Sequence, residues 1–257
     1  MISFKKLFIA SLCLGTALFS SCGKELSTSG TAPEDSASVA LVLSHSVRTL
    51  PLNYIDEYIT DGGETYKVSR FRYYIHDIEL ISKAGVASKV LPGYFLVNQD
   101  EPASRRFSFN APAGSYSSIA FTLGVDSADN MSGAQAGALD PANGMFWTWS
   151  SGYVMAKLEG TSPFVTGASN NFTYHIGGYK APDAVIKKIN IPVTEPNSLN
   201  LVRDTSVTLN VSVDINTWFS RVHDIEMALT PACHSPGELA KKIAENYEGM
   251  FSLKNIE

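Results

Sequence analysis

The sequence predicts a mainly β protein, an antiparallel β-sandwich with one short C-terminal helix. Three observations predict this fold. From Val39 onward, apolar and polar residues alternate with a period of two and are rich in β-branched and aromatic types, as in half-buried strands. Pro-Gly at 92–93 and the run at 111–115 interrupt the pattern as turns. Strands do not alternate with long helices, so a parallel α/β sheet is not expected.

Ten segments carry the strand pattern: 39–47, 66–82, 93–99, 105–110, 116–125, 145–160, 170–178, 184–193, 206–215 and 223–230. Residues 126–144 are small and show no periodicity, which predicts a long loop, and such loops are often functional or mobile. The predicted helix covers 239–247. Ser235 is its predicted N-cap, a proline follows at the first helical position, and Glu238 completes a capping box.

The N-terminus has the pattern of a bacterial lipoprotein. Lys5 and Lys6 precede the apolar run 7–19, which is too short to span a bilayer and is typical of a signal peptide. The small residues before Cys22 resemble a lipobox, which predicts a signal peptide over 1–21 and acylation of the Cys22 thiol; the alternative is an ordinary signal peptide. We therefore expect a lipid anchor in a bacterial membrane of the cell envelope. The outer membrane is the expected site, on its periplasmic or its surface face.

A flexible tether and one domain are predicted to follow. Residues 22–38 are small and polar, as in linkers, and the β-sandwich domain is predicted over 39–257. With Cys13 removed and Cys22 acylated, Cys233 would be the one free thiol. The sequence therefore predicts no disulfide framework.

Charge and motifs exclude several classes of function. The net charge is -5 and no basic block occurs, which argues against a nucleic-acid partner. The sequence contains no G-x-S-x-G, no S-x-x-K and no phosphate-binding glycine loop. We therefore expect a binding protein and not an enzyme, and its five histidines become the main candidates for chemistry.

Two of the histidines occupy strand positions that could serve a metal. His45 shares an inward row with Leu41 and Leu43, and His175 lies just before the Gly-Gly that ends its strand. Neutral imidazole binds borderline-soft cations. However, a histidine in such a place is more commonly a hydrogen-bonded core residue. Nothing in the sequence resembles an H-x-x-x-H or C-x-x-C chelate.

The tetrapeptide His-Asp-Ile-Glu occurs twice, at 76–79 and at 223–226. On a strand, residues three apart face opposite ways, so His76 cannot chelate with its own Glu79. His76 shares a face with Tyr74 and is expected to be a partly buried, hydrogen-bonded histidine.

Two further pairs of residues are candidates for a binding site. Cys233 and His234 are a thiol and an imidazole, which suit Cu(I) or Zn, but neighbours in an extended chain point apart. A lone buried cysteine is the simpler interpretation of Cys233. Trp147 and Trp149 stand about 6.6 Å apart on one strand face. They would either fill the sandwich core or form an exposed aromatic platform for a sugar or a cation.

The stretch MFWTWSSGYVMAKLEG at 145–160 resembles the signature of the MbnP-like family. These are β-rich secreted or lipid-anchored proteins related to bacterial copper-binding proteins. The likeness extends to LVLSHSVRTLPL, YKVSRFRYYIHDIEL, APAGSYSSIAFTLGVD, FTYHIGG and ENYEGMF, in the expected order, and covers nearly all of 39–251.

The resemblance implies copper as the cofactor, held by imidazoles with tryptophan nearby. In copper-binding relatives, a tryptophan can be oxidised to kynurenine and take part in copper binding. Carried over to this sequence, the candidates are His45, His175, and Trp147 or Trp149. His76 stands where a small polar residue such as serine is expected, so it is either an added ligand or none. Two histidines leave the site undercoordinated unless Cys233, a methionine such as Met145 or a carboxylate contributes, and His234 is a further candidate.

Two functions from different classes are consistent with these features. The first is a lipid-anchored copper-binding protein for uptake, storage or delivery of copper, with an unidentified envelope partner. It requires His45 and His175 to share one coordination sphere, with nitrogens about 2 Å from a common point. The second is a metal-free cell-surface binding or adhesion module for a glycan or protein, which requires exposed indoles and scattered histidines.

Overall fold

The computed structural model describes residues 35–147, 152–167 and 169–257. The predicted signal peptide, Cys22 and Trp149 lie outside the described residues. Ala32–Glu257 form one compact unit, which contains all the buried core residues of the described part. We therefore expect this unit to fold without the residues that precede it. None of the helices in the described ranges is long and apolar enough to cross a membrane.

The described residues are mainly strand, which confirms the predicted fold class. The strands are β1 (Ser36–Val47), β2 (Leu50–Pro51), β3 (Tyr58–Ile59), β4 (Thr65–Ser82), β5 (Ala87–Asn98), β6 (Arg106–Pro112), β7 (Gly114–Leu123), β8 (Phe146–Trp147), β9 (Gly152–Thr161), β10 (Asn171–Gly177), β11 (Lys187–Pro192), β12 (Leu199–Leu201), β13 (Ser206–Asp214), β14 (Ala232–Cys233) and β15 (Phe251–Ile256). The helices are α1 (Ser127–Met131) and α2 (Glu238–Tyr247).

The strands form a five-stranded and a ten-stranded sheet. The smaller sheet has the order β15-β13-β1-β2, with β6 also paired to β1. The larger has the order β11-β7-β4-β9-β10-β14, with β12 on β7, β3 and β5 on β4, and β8 on β9. Neighbours are antiparallel, except that β1 pairs parallel with β13 and β10 pairs parallel with β14. Parallel pairs need long crossover connections, and both pairs join segments far apart in the chain.

The inner faces of the two sheets pack against each other and form the core. Phe251 of β15 contacts Tyr73 and Phe121 of the larger sheet, at ring-centroid distances of 5.9 and 5.0 Å. Inward residues alternate along each strand, as the period of two predicts. In β10, for example, Phe172 and Tyr174 are buried.

The outer face of the larger sheet is covered in part by residues 126–144, which were predicted to be a loop. This segment contains α1 and two short 3-10 turns. The Tyr153 hydroxyl donates to the carbonyl of Leu139 at 2.9 Å, and the Lys157 ammonium donates to the carbonyl of Gly144. The segment is therefore packed onto β9 by buried polar contacts.

Several local predictions differ from the structure. The predicted turn at Pro92-Gly93 is wrong, since both residues lie within β5, beside a register shift in its pairing with β4. β1 begins at Ser36, earlier than the predicted start at Val39, because its first residues pair through the backbone with β6 and β13. The predicted strand 145–160 is divided into β8 and β9, which pair with each other. The predicted N-cap Ser235 is wrong, since α2 begins at Glu238 after Gly237, which makes no side-chain cap.

The predicted strand at 223–230 is also wrong. This stretch consists of turns, and its backbone is held by the buried carboxylate of Glu64, which accepts from the N–H groups of Met227 and Ala228 at 2.7 and 2.8 Å. The two His-Asp-Ile-Glu copies are therefore not equivalent strands. Only 76–79 lies in a strand.

Candidate metal site

His45 lies in the core between the two sheets, 4 % exposed, on the inward row that the sequence predicted. Its Nδ1 donates to Oε1 of Gln99 at 2.8 Å, and its Nε2 accepts from the Tyr73 hydroxyl at 3.1 Å. Burial lowers the pKa of His45 to about 3, so the ring is neutral at physiological pH. Because both ring nitrogens are occupied, His45 is a satisfied core histidine.

His175 lies on the opposite side of the larger sheet. It faces Lys157 across β10 and β9, and Lys157 faces Arg72 across β9 and β4. Residues directly opposite in antiparallel strands point to the same face. The next residue, Tyr73, points inward to His45, so this row points outward. The sheet therefore separates His45 from His175, and the expectation that they share one coordination sphere is wrong.

The imidazole that does lie beside His175 is His234. Their ring centroids are 4.6 Å apart, with 36° between the ring planes. His234 follows β14, and the pairing of β14 with β10 places it against Thr173, whose Oγ1 lies 2.7 Å from Nε2 of His234. His175 therefore lies beside His234, which was a weaker candidate than His45 in the sequence.

A carboxylate orients His175. Its Nε2 lies 2.7 Å from Oε1 of Glu159, and the other oxygen of Glu159 lies 3.6 Å from Nε of Arg70. The hydrogen bond from His175 lowers the pKa of Glu159, so the carboxylate is ionised and can only accept. The ring proton is therefore on Nε2, and the lone pair of Nδ1 is available to a metal.

His234 has a comparable arrangement. Its pKa is lowered, first by burial and then by the nearby His175, which keeps the ring neutral. When Nε2 donates to the Thr173 hydroxyl, Nδ1 carries the lone pair. The pair thus presents two imidazoles, each hydrogen-bonded at Nε2.

Trp147 packs on β10 close to this pair. A Cβ atom placed on Gly177 would stand 2.5 Å from Cζ3 of Trp147, so the indole rests on the backbone of β10, two residues beyond His175. Its neighbour Phe146 pairs with Tyr153 and shares its face, so the Trp147 side chain points to the opposite face. Trp147 is 3 % exposed, so it is buried and cannot serve as an exposed platform.

The other candidates lie elsewhere. His76 is buried against Tyr94, with Nδ1 3.6 Å from Asp77 and Nε2 3.5 Å from Asp126. Cys233 is a buried free thiol, and burial raises its pKa. It is the lone buried cysteine of the simpler interpretation.

The ring nitrogens of His175 and His234 fit a copper site that has few protein ligands. Within the described ranges, no group of three or more His, Cys, Asp or Glu residues is arranged to hold a metal. The Glu159 carboxylate does not count as a third ligand, because it accepts the hydrogen bond from Nε2 of His175. Two Nδ1 atoms remain. Neutral imidazole suits copper, and a histidine ligand commonly donates its other nitrogen to a carboxylate.

Glu159 and Thr173 were not among the site residues predicted from the sequence. The buried alternation of Phe172, Tyr174 and Ile176 places Thr173 and His175 together on the outer face, and this signal was readable. Glu159 stands out as a carboxylate in an otherwise buried strand. Its partner His175, however, is on another strand, and the register between them is not local information.

Comparison with known proteins supports the resemblance seen in the sequence. The family model for MbnP matches residues 36–235, which include every residue of the pair and its hydrogen-bond partners. No curated protein matches the sequence significantly. Among solved structures, MbnP from Methylosinus trichosporium matches with a TM-score of 0.50 and 15% identity, over 80% of this chain and 83% of that chain. That likeness shows a shared fold. Since the family match covers well over half of the sequence, the chain belongs to the MbnP family.

Proposed function

We propose that this protein binds copper at the outer face of its ten-stranded sheet, through the Nδ1 atoms of His175 and His234. One observation supports this most strongly. A histidine bonded to an ionised carboxylate lies 4.6 Å, centroid to centroid, from a second imidazole. In a metal site, that carboxylate bond fixes the tautomer and makes the other nitrogen a better donor.

The surrounding residues hold the donors in place. Glu159 keeps the proton of His175 on Nε2, and Arg70 in turn lies beside Glu159. Thr173 Oγ1 lies 2.7 Å from Nε2 of His234, and when the hydroxyl accepts from that nitrogen the lone pair is on Nδ1. With both hydrogen bonds at Nε2, the two Nδ1 atoms are the ring nitrogens left for a metal.

Trp147 packs close to the site along β10. Its buried ring rests on Gly177, two residues beyond His175. For this reason Trp147 is our first candidate for the oxidation to kynurenine that the family resemblance implies. Trp149, outside the described residues, is the second.

We infer a binding protein for copper uptake, storage or delivery, and not an enzyme. The predicted acylation of Cys22 would hold it at a membrane of the cell envelope, where a partner would supply or receive the metal. The metal-free adhesion alternative needs exposed indoles, and the burial of Trp147 argues against it.

The test is metal content and intact mass of Ala32–Glu257, produced through the periplasm with copper supplied. We expect near-stoichiometric copper in the wild type and its loss in His175→Ala and His234→Ala. The matched control is His223→Ala, which removes another histidine bonded to a carboxylate, Glu245. A mass change mapped to Trp147 or Trp149 would support the modification.

A folded wild type without copper would overturn the proposal. Equal loss of copper in the His223 control would overturn the assignment to this pair. In the first case, glycan and protein partners become the next candidates.

A further inference from the structure

Each sheet ends in an edge strand at the same margin of the sandwich. Within the described part of the chain, β5 pairs only with β4, and β6 pairs only with β1. The two strands meet where the rings of Phe95 and Phe107 pack edge to face, with centroids 5.2 Å apart. A cleft of about 500 Å³ opens along this seam, a volume typical of small-molecule sites.

The cleft has an apolar base. Phe95 and Leu91 come from β5, and the largely buried Phe107 comes from β6. Their side chains hold one another in place, and they offer a flat apolar surface to a ligand with an aromatic or acyl body.

The polar groups of the cleft favour a negative charge. The Arg72 guanidinium donates to Asn98, Asn143 and Asp100 at 3.1, 3.1 and 3.3 Å. These three hydrogen bonds hold its side chain in place at one side of the cleft. Arg106 also lines the cleft, and it forms no ion pair with an acidic residue of the described ranges. Arginine is well suited to bind carboxylates and related oxyanions through parallel hydrogen bonds.

One guanidinium of the lining is left to pair with a ligand. Arg72 is already paired with Asp100, and the Glu101 carboxylate accepts from the Asn98 amide at 3.2 Å. Arg106 has no such acidic partner in the described ranges, and a single free guanidinium suits a ligand with one negative charge.

The free edge of β5 is poorly suited to backbone pairing with a peptide. Pro92 and Gly93 lie within β5, and the β4–β5 register shifts twice near Ile78. Prolines and bulges of this kind protect edge strands from pairing with another chain. A small ligand therefore fits the cleft better than an added strand.

We propose that the cleft between β5 and β6 binds a small monoanion with an apolar body, which contacts Phe95 and Phe107 and pairs with Arg106. This site does not depend on the copper pair. Arg72 and His175 belong to one row with Lys157 between them, so their backbones lie about 10 Å apart, two strand spacings.

The test compares two fluorescent probes on Ala32–Glu257: 8-anilinonaphthalene-1-sulfonate, and N-phenyl-1-naphthylamine, which is the same body without the sulfonate. We expect saturable binding of one sulfonated probe per chain. Arg106→Gln should weaken it about tenfold, as expected for a lost charged hydrogen bond, and leave the neutral probe unchanged. Arg203→Gln, an exposed arginine outside the cleft, is the matched control.

A second variant tests the location. Ser108 is exposed and lines the cleft, so Ser108→Trp should fill it and abolish binding of both probes, while Asn110→Trp on the same strand face should not. His175→Ala should leave probe binding intact, which separates this site from the copper pair. No saturable binding, unchanged binding in Ser108→Trp, or equal effects of Arg106→Gln on both probes would overturn the proposal.

Discussion

Nε2 of His175 lies 2.7 Å from Oε1 of Glu159, and this bond determines which ring nitrogen can face a metal. An ionised carboxylate only accepts hydrogen bonds, so the ring proton stays at Nε2 and Nδ1 keeps its lone pair. The copper proposal rests on this tautomer and on the position of His234 next to it.

Replacement of Glu159 by glutamine should weaken copper binding without unfolding the protein. The amide cannot stabilise the Nε2–H tautomer as a carboxylate does, and loss of such partners typically costs about 10- to 100-fold in metal affinity. Competition with a Cu(I) chelator measures this change. Glu245→Gln, which alters the carboxylate beside His223, is the control and should have no effect. Equal affinities in the Glu159 variant and the wild type would contradict the role of this carboxylate.

His45 should make the free energy of unfolding depend on pH. Its pKa is about 3 when folded, against an ordinary value of 6.5, because burial disfavours the charged ring. The unfolded chain takes up a proton below its own pKa and the folded chain does not. Stability is therefore lost as pH falls from about 6.5 towards 3, by about 1.4 kcal/mol per pH unit at the steepest.

The measurement is urea unfolding of the wild type and His45→Gln between pH 7 and about pH 4. The variant has no titrating group at this position, so its stability should fall less steeply with decreasing pH. Parallel curves for the two proteins would show that His45 is not buried in its neutral form.

Gly177→Ala should disturb Trp147. The added Cβ would stand 2.5 Å from Cζ3 and 2.6 Å from Cη2 of the indole, and 3.0 Å from the carbonyl oxygen of Tyr153. Overpacking of this kind costs about 1–3 kcal/mol. Chemical unfolding and tryptophan fluorescence would detect it. Gly62→Ala is the control, since its Cβ would meet its nearest neighbour, Thr60, at 3.7 Å. Equal stabilities of the two variants would contradict the packing of Trp147 on β10.

Glu64→Gln should destabilise the turns at 223–230. The buried carboxylate accepts from the N–H groups of Met227 and Ala228, and an amide presents one acceptor and one donor in its place. An unsatisfied buried group costs about 1–3 kcal/mol. Thermal unfolding against the exposed control Glu57→Gln measures this cost. A change no larger than that of the control would show that the carboxylate does not hold these turns.

Local pattern was enough to predict most of the strands. β4 and β10 are each within one residue of their predicted starts, because alternation of buried and exposed side chains is a property of the strand itself. The inward position of His45 follows from the same alternation. The strand predicted at 223–230 failed because its pattern competes with a distant carboxylate, Glu64, which holds the backbone in turns.

The site could not be predicted in the same way. His234 meets His175 only through the parallel pairing of β14 with β10, and Glu159 meets it only through the register of β9 with β10. These contacts are set by chain topology, which one sequence does not reveal. The family resemblance supplied the copper chemistry that we propose, but it could not show that a sheet lies between His45 and His175.

The most direct test of the central claim is the protonation and ligation of the histidine nitrogens, measured by ¹⁵N NMR on Ala32–Glu257 before and after anaerobic addition of Cu(I). We expect Nε2–H tautomers for His175 and His234, a change at their Nδ1 atoms on addition of the metal, and an unchanged His45. Ligation through Nε2, or a change at His45 with none at His234, would contradict it.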